Sequence, residues 1–264
     1  MSDLTNFLRL TGNEFATVAQ DGISAGDISG WCDSGSYALN ALLSGSIYGG
    51  FAQNKIVVIG AEPSTGKTFF ALGAAKNFLA GDPGAMVICF ETESAITKQM
   101  LMDRGIDTLR FGVVPVGTVQ EFRTQCIKIT DNYEKIKAKD RPPLMFILDS
   151  MGMLSTDKEM ADTAAGAETK DMTRAGLLKA SFRVLTLKLG RANIPMIVTN
   201  HVYADVGGGP YATAVQSGGT GSVYASSTVL TLSKAKDKDA EGVVRGVIIT
   251  VTAAKSRLTK ENSK

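Results

Sequence analysis

The sequence predicts an α/β fold in which a mostly parallel sheet is flanked by helices and ends in a C-terminal antiparallel hairpin. Three observations lead to this class. Short β-branched runs alternate with longer helical patterns along residues 55–199, the order of a parallel sheet with helical crossovers. These runs are apolar at nearly every position, as in strands covered on both faces. After residue 200, two β-like runs flank the charged turn KAKDKDAEG, which predicts a hairpin.

The elements follow one another in βα alternation. Residues 118–137 are predicted to form a helix, because Thr118 and Glu121 make a capping box at its start. A later helix is indicated by one apolar face, made of Leu178, Phe182, Leu185 and Leu189. The predicted strands are residues 55–59, 86–90, 111–114, 144–148 and 195–199, followed by the hairpin strands 227–232 and 243–252.

The first 30 residues differ in character from the rest of the chain. Leu4, Phe7, Leu8 and Phe15 lie on a short helix-like segment, and a Gly- and Asp-rich link joins this segment to the remaining residues. We therefore predict an N-terminal arm over residues 1–30 and a core over residues 31–264.

Composition excludes several functional classes. With 264 residues, of which 44% are hydrophobic, the chain can bury a core without disulfides or structural metal. Lys plus Arg number 28 against 26 Asp plus Glu, so a nucleic-acid site must be local rather than a general basic coat. Three scattered cysteines and one histidine fit neither a disulfide framework nor a zinc site. With no apolar run of signal-peptide or membrane-span length, the chain is expected to be cytoplasmic.

A phosphate-binding loop is predicted directly after the first strong strand. Such a loop wraps phosphates with backbone N–H groups at a helix N-terminus, a lysine reaches the β- and γ-phosphates, and a hydroxyl binds Mg²⁺. Lys67 and Thr68 follow Gly66 in this context, although Ala61 stands at the first glycine position. The predicted ATP-binding residues of the loop and helix start are Ala61, Glu62, Pro63, Ser64, Thr65, Gly66, Lys67, Thr68 and Phe69.

Acidic residues at strand ends complete the predicted site. Asp149 ends the run LMFILD and is the candidate carboxylate for Mg²⁺, together with Thr68. Hydrolysis also needs a carboxylate that orients or deprotonates the attacking water. Glu91 and Glu93 both follow another predicted strand, and the residues alone leave both open as that base.

Seven motifs together carry a family resemblance. DSGSYALNALLSGSIYGG precedes the phosphate loop, and ETESAIT, DSMGMLS, DMTRA, NIPMIVTNH, GGTGSVYASS and AAKSRLTKE come after it in order. From about residue 33 to 257 the chain resembles the RecA-type strand-exchange recombinases, most closely the phage UvsX branch. The resemblance implies a RecA-like ATPase core, which here ends before the family's C-terminal region. It also makes the N-terminal arm, residues 1–30, a candidate tether between protomers.

The resemblance also implies roles for individual residues. Glu93 rather than Glu91 becomes the ATPase base, and His201 takes the place of the polar residue that senses the γ-phosphate. Lys255 and Arg257 resemble cations that reach the ATP of the neighbouring protomer. Met100 occupies the position where relatives place a ring over the adenine. A thioether contact would replace ring stacking there, which predicts loose nucleotide selectivity.

DNA contacts are implied for two loops, residues 157–170 and 203–223. The second loop carries one acidic residue and no lysine or arginine. The backbone N–H groups of its glycines are therefore expected to bind the DNA phosphates, and Val206 is expected to insert between stacked nucleobases. Arg174 would add charge at the following helix. The predicted DNA-binding residues are Val206, Gly207, Gly208, Gly218, Gly219, Thr220, Gly221 and Arg174.

The motifs and the resemblance together imply an ATP-dependent recombinase. It would form a filament on single-stranded DNA, pair it with a homologous duplex, and work with a single-strand-binding protein and a loading mediator. If the protein is phage-encoded, its place is the host cytoplasm. Two alternatives stay open: a ring helicase or other DNA motor with the same fold, and a non-catalytic recombination mediator.

Overall fold

The computed structural model describes residues 3–23, 25–167, 172–203, 215–216 and 225–264. The helices are α1 Asp3–Leu10, α2 Tyr37–Ser44, α3 Lys67–Gly81, α4 Lys98–Asp103, α5 Val119–Glu134, α6 Asp157–Ala164 and α7 Arg174–Ala192. The strands are β1 Trp31–Cys32, β2 Phe51–Ala52, β3 Ile56–Ala61, β4 Met86–Glu91, β5 Phe111–Pro115, β6 Leu144–Asp149, β7 Met196–Tyr203, β8 Val215–Gln216, β9 Thr228–Lys238 and β10 Val244–Ser256.

The main sheet has the predicted architecture. Its strand order is β10-β9-β3-β7-β6-β4-β5, and β8 pairs with β7 outside this path. Neighbours from β9 to β5 run parallel, whereas β10 joins β9 and β8 joins β7 in antiparallel pairs. Strands β1 and β2 form a separate two-stranded sheet. The expectation of a mostly parallel sheet with a C-terminal hairpin, a RecA-like α/β core, is confirmed.

Two apolar layers cover the sheet, which explains why its central strands read as continuous apolar runs. Alternate residues of β3 enter opposite layers: Val57 and Ile59 pack with α2, α3 and α4, and Ile56 and Val58 pack with α5 and α7. All residues of β3 and β6 are buried. Covering both faces removes this apolar surface from water, the main favourable term in folding.

The larger differences from the predicted element boundaries lie at α5, in the hairpin and at β7, which continues to Tyr203 rather than ending at residue 199. Helix α5 ends at Glu134 rather than near residue 137, because Arg141 donates to the carbonyls of Glu134 and Ile136 and caps that end. The hairpin strands are longer than predicted. Leu232 is the last residue of β9 that pairs with β3, and beyond it β9 continues in pairing with β10. The sheet therefore carries an overhanging hairpin next to the phosphate loop.

The N-terminal arm contains the predicted helix, α1. Leu4, Phe7 and Leu10 of α1 are exposed. Further along, Lys55 Nζ donates to the carbonyls of Ala25 and Gly26 at 2.9 and 2.8 Å, which fixes this part of the arm to the start of β3. None of the helices described is long and apolar enough to span a membrane.

Candidate nucleotide-binding and hydrolysis site

The loop predicted to bind phosphate, named the phosphate loop and made of residues 62–66, connects β3 to α3. Gly66 caps the helix with φ 98°, a left-handed conformation that glycine adopts at no steric cost. Lys67 is 7% exposed, and its Nζ donates to the carbonyls of Ala61 at 3.2 Å and Glu62 at 3.1 Å. The loop thus folds around the ammonium group of Lys67, a position from which this group can contact an anionic ligand bound by the loop.

Strand register brings the predicted residues to one edge of the sheet. Ala61 at the end of β3 lies beside His201 of β7, and Glu91 at the end of β4 lies beside Asp149 of β6. The carboxyl ends of parallel strands form the crevice in which open α/β sheets bind ligands. Sequence reasoning placed each residue at a strand end; the sheet order makes them neighbours.

Asp149 is held by two hydroxyl groups. Thr68 Oγ1 donates to Asp149 Oδ2 at 2.7 Å, and Thr199 Oγ1 donates to Oδ1. Burial raises the pKa of Asp149; the two hydroxyls oppose this, and the nearby charges of Glu93 and Glu91 add to it.

The oxygen donors around Asp149 fit Mg²⁺. Within the described chain no three His, Cys, Asp or Glu side chains form a metal cluster. Mg²⁺ does not need such a cluster, because it commonly binds one or two protein oxygens together with phosphates and water. A hard cation here would also offset the repulsion between the carboxylates, so Thr68 and Asp149 are suited to hold it.

The two candidate bases have different surroundings. The Glu91 carboxylate accepts the backbone N–H groups of Glu93, Ser94 and Ala95 at 3.1, 2.8 and 2.8 Å, so it stabilises the turn after β4. Glu93 instead points to Ser150, whose Oγ donates to Oε1 at 2.6 Å. This geometry favours Glu93 as the base, and its catalytic role remains a prediction.

His201 lies between the lysine and the acid. Its Nε2 is 3.2 Å from Glu93 Oε1, and its Nδ1 is 3.5 Å from Lys67 Nζ. Burial alone would raise the pKa of Glu93, but the hydrogen bonds from Ser150 and His201 and the charge of Lys67 hold it below its usual range. Glu93 is therefore ionised at neutral pH, as a general base must be.

Lys255 and Arg257 lie away from their own phosphate loop. Lys255 pairs with Val229, which is also the partner of Val58, three residues before Ala61 in β3. This register places Lys255 about 10 Å toward the amino end of the sheet from the loop, at roughly 3.3 Å per residue. Lys255 Nζ donates to the carbonyl of Ser226 at 2.8 Å.

Phe69, the last of the predicted ATP-binding residues of the loop and helix start, presents an aromatic ring at the surface. Phe69 is 58% exposed on the first turn of α3, and the Arg104 guanidinium lies 4.9 Å from its ring centroid. Met100 is partly buried against the core on α4, so its predicted contact with the adenine stays a prediction.

The structure describes only part of the two segments that are predicted to bind DNA. The first predicted loop begins with helix α6, because Thr156 accepts from Glu159 N at 3.0 Å and acidic residues occupy the first turn. Arg174 Nη2 donates to the carbonyls of Met151 and Gly152 at 3.1 and 2.7 Å, so it stabilises the turn that follows β6. The other predicted DNA-binding residues lie outside the described residues: Val206, Gly207, Gly208, Gly218, Gly219, Thr220 and Gly221.

Sequence reasoning missed three polar residues of this region. Thr199 is completely buried beside Asp149, Ser150 contacts Glu93, and Lys234 contacts the phosphate loop from β9. A hydroxyl inside an apolar strand is a usable signal for Thr199, since buried hydroxyls need a partner. No comparable signal marks Lys234, one of several charged residues in a turn-like segment.

Comparisons with known proteins give three informative relatives. The chain is 30% identical over 226 residues to the recombination and repair protein of Enterobacteria phage T4, covering 86% of this chain and 56% of that protein. It is 26% identical over 232 residues to Protein RecA of Mesomycoplasma hyopneumoniae strain J, covering 85% and 62%. Protein RecA of a Nocardioides species is 28% identical over 178 residues, or 66% and 45% of the two chains. The chain thus spans little more than half the length of the first two, and no protein-family model matches it.

Proposed function

We propose that this chain, similar in sequence to RecA-type recombinases and to their phage UvsX branch, is an ATP-dependent recombinase acting on single-stranded DNA. One observation carries the proposal. A single edge of the RecA-like sheet brings together five predicted site residues, which are Lys67, Thr68, Asp149, Glu93 and His201. These side chains supply the cation, the metal ligands and the base that phosphoryl transfer to water requires.

Each residue has a separate task in hydrolysis. Bound Mg-ATP would supply the γ-phosphoryl group and the divalent charge beside it. Lys67, now bonded to loop carbonyls, would exchange them for phosphate oxygens, while Thr68 and Asp149 hold the metal. Ser150 and His201 both contact Oε1 of Glu93; among the described groups none contacts Oε2, which can accept the proton of the attacking water.

We infer that ATP acts mainly as a switch between protomers. Burial and the charge of Arg257 both lower the pKa of Lys255, with Glu261 opposing. Burial lowers the pKa of Lys55; the charge of Asp27 opposes this, and the charge of Arg257 lowers it further. Cations gathered in this way at a distance from their own phosphate loop suit an anion brought by another molecule, such as the triphosphate on a neighbouring protomer.

Assembly and DNA binding complete the proposal. The exposed apolar side chains of α1, Leu4, Phe7 and Leu10, fit the predicted role of residues 1–30 as a tether to a second copy. Single-stranded DNA and a homologous duplex would bind the segments after β6 and β7. A loading mediator and a single-strand-binding protein are the expected assisting partners, in the cytoplasm of the host if the protein is phage-encoded.

A magnesium-ATP assay with and without single-stranded DNA, imaged in parallel by electron microscopy, tests this function. Turnover stimulated by DNA together with filaments is the result expected of a recombinase. Rings with unwinding activity would identify a helicase, and assembly without turnover would identify a non-catalytic mediator.

The action across protomers has its own test. Lys67→Ala and the double variant Lys255→Ala, Arg257→Ala should each be inactive, and their mixture should regain activity at interfaces that pair an intact loop with intact cations. Light scattering must first show co-assembly. A co-assembled mixture as inactive as its components contradicts the trans role.

A further inference from the structure

Lys234 links the hairpin overhang to the phosphate loop. Beyond Leu232, β10 is the strand partner of β9 among the described residues, and Lys234 lies two residues into this segment. Its Nζ donates to the carbonyl of Pro63 at 3.2 Å and to the carbonyl of Ser64 at 3.3 Å. An exposed lysine has water as an alternative partner, so two contacts with one loop define a specific position.

Two lysines divide the carbonyl groups of the loop between them. Residues 61–64 are consecutive, and Lys67 takes the carbonyls of the first two while Lys234 takes those of the last two. Lys67 follows the loop in sequence and is buried, whereas Lys234 reaches it from a strand about 170 residues away. Nucleotide binding would affect the two lysines differently. Phosphates would compete with the carbonyls for Lys67, whereas Lys234 can keep its contacts with the carbonyls of residues 63 and 64.

The backbone at this point needs an external contact. Ser64 has φ 56°, a left-handed conformation that disfavours residues other than glycine and persists only where its surroundings hold it. A cation on the carbonyls of residues 63 and 64 fixes the orientation of the peptide groups that come next, and with it the direction of their N–H groups. Those N–H groups are what a phosphate loop offers to its ligand.

We propose that Lys234 is a positioning residue that holds the outer half of the phosphate loop in the geometry that binds a nucleoside triphosphate. The inference rests on the proposed nucleotide site and extends it to a residue of the hairpin. Electrostatics agree: burial lowers the pKa of Lys67, Glu93 and Asp149 oppose this, and Lys234 lowers it further, so the two ammonium groups act on the same region. A bound triphosphate would interact favourably with both charges.

The test compares Lys234→Met with Lys234→Arg and with Lys236→Met. Lys236 is exposed on the same face of β9, two residues further along, so it controls for a general loss of positive charge. Fluorescence titration with an N-methylanthraniloyl ATP analogue and Mg²⁺, without DNA, measures affinity directly. Hydrogen exchange of peptides covering residues 61–68 in nucleotide-free protein measures the order of the loop.

We expect Lys234→Met to weaken nucleotide binding by about three- to tenfold, the fold-change that corresponds to losing one typical protein hydrogen bond. KM for ATP should rise by a similar factor with kcat within about twofold, and exchange of residues 61–68 should become faster. Lys234→Arg should restore affinity, and Lys236→Met should match the wild type. If Lys234→Met does not fold, Lys234→Gln is measured against the same expectations.

Two results would overturn the inference. In one, Lys234→Met binds and exchanges like the wild type; in the other, Lys236→Met loses as much affinity as Lys234→Met. Lys67→Ala separates these failures from a failure of the proposed function. If Lys67→Ala loses turnover while Lys234→Met is normal, only Lys234 is misassigned. If Lys67→Ala also binds and turns over ATP normally, the nucleotide site itself is wrong.

Discussion

Asp149→Asn should stabilise the nucleotide-free protein while abolishing Mg-dependent turnover. Asp149 is 7% exposed, and burial raises its pKa in the folded state. A carboxyl with a raised folded-state pKa binds more protons when folded than when unfolded. Its stability contribution therefore falls as the pH rises from the unfolded value of about 4 through the folded pKa. Above the folded-state pKa the ionised group costs stability in full.

The asparagine amide removes that cost and keeps the local hydrogen bonds. Its oxygen can accept from one of the hydroxyls of Thr68 and Thr199, and its NH₂ can donate to the other. Each kcal/mol recovered would raise Tm by about 2–4 °C for a chain of this size. Loss of the metal carboxylate should reduce turnover by about 10²-fold or more, the scale of removing one electrostatic stabiliser.

Thermal unfolding in EDTA, measured by circular dichroism at several pH values, checks this expectation. The Tm difference should be largest above the folded-state pKa of Asp149 and shrink as the pH falls through that raised pKa toward the unfolded value of about 4. Asp107→Asn is the control of opposite sign, because a hydrogen bond from Arg110 lowers the pKa of the exposed Asp107. An Asp149→Asn protein that melts below the wild type, or a pH-independent difference, would refute the reasoning.

Three further predictions concern the base, the sensor and DNA. Glu93→Gln should lower kcat by about 10²–10⁴-fold and give longer-lived filaments in ATP; normal turnover would assign the base elsewhere. Gly152→Ala would place a Cβ 3.0 Å from Cδ2 of His201 and 3.3 Å from Oδ1 of Asn200, so steady-state kinetics should show kcat reduced by up to about tenfold; an unchanged kcat would contradict a dependence of turnover on the position of His201. Binding of single-stranded DNA should depend weakly on salt, and Val206→Asp should impair it more than Lys158→Ala; titration at several salt concentrations tests this, and the reverse ranking would assign the DNA contact to the first segment.

Local sequence patterns determined the main elements of this protein. The apolar runs that became β3 and β6 needed only their own composition, since strands buried on both faces cannot hold polar side chains without partners. The start of α5 followed from Thr118, which accepts from Glu121 N, while the Glu121 carboxylate accepts from Gly117 N. The loop around Lys67 was predictable for the same reason, because phosphate binding at a helix N-terminus is a local arrangement.

Tertiary structure decided how residues from separate strands meet. Glu91 and Glu93 are equivalent as strand-end acids, and only the fold of the following turn directs one carboxylate to backbone N–H groups and the other to Ser150. Arg174 likewise donates to carbonyls of the turn after β6, a contact that the sequence did not predict, and its contact with DNA stays a prediction. Lys234 met the phosphate loop because β9 lies beside β3 and runs past its end. Such contacts depend on strand order and register, which pair residues far apart in the chain and leave no periodic trace in the sequence.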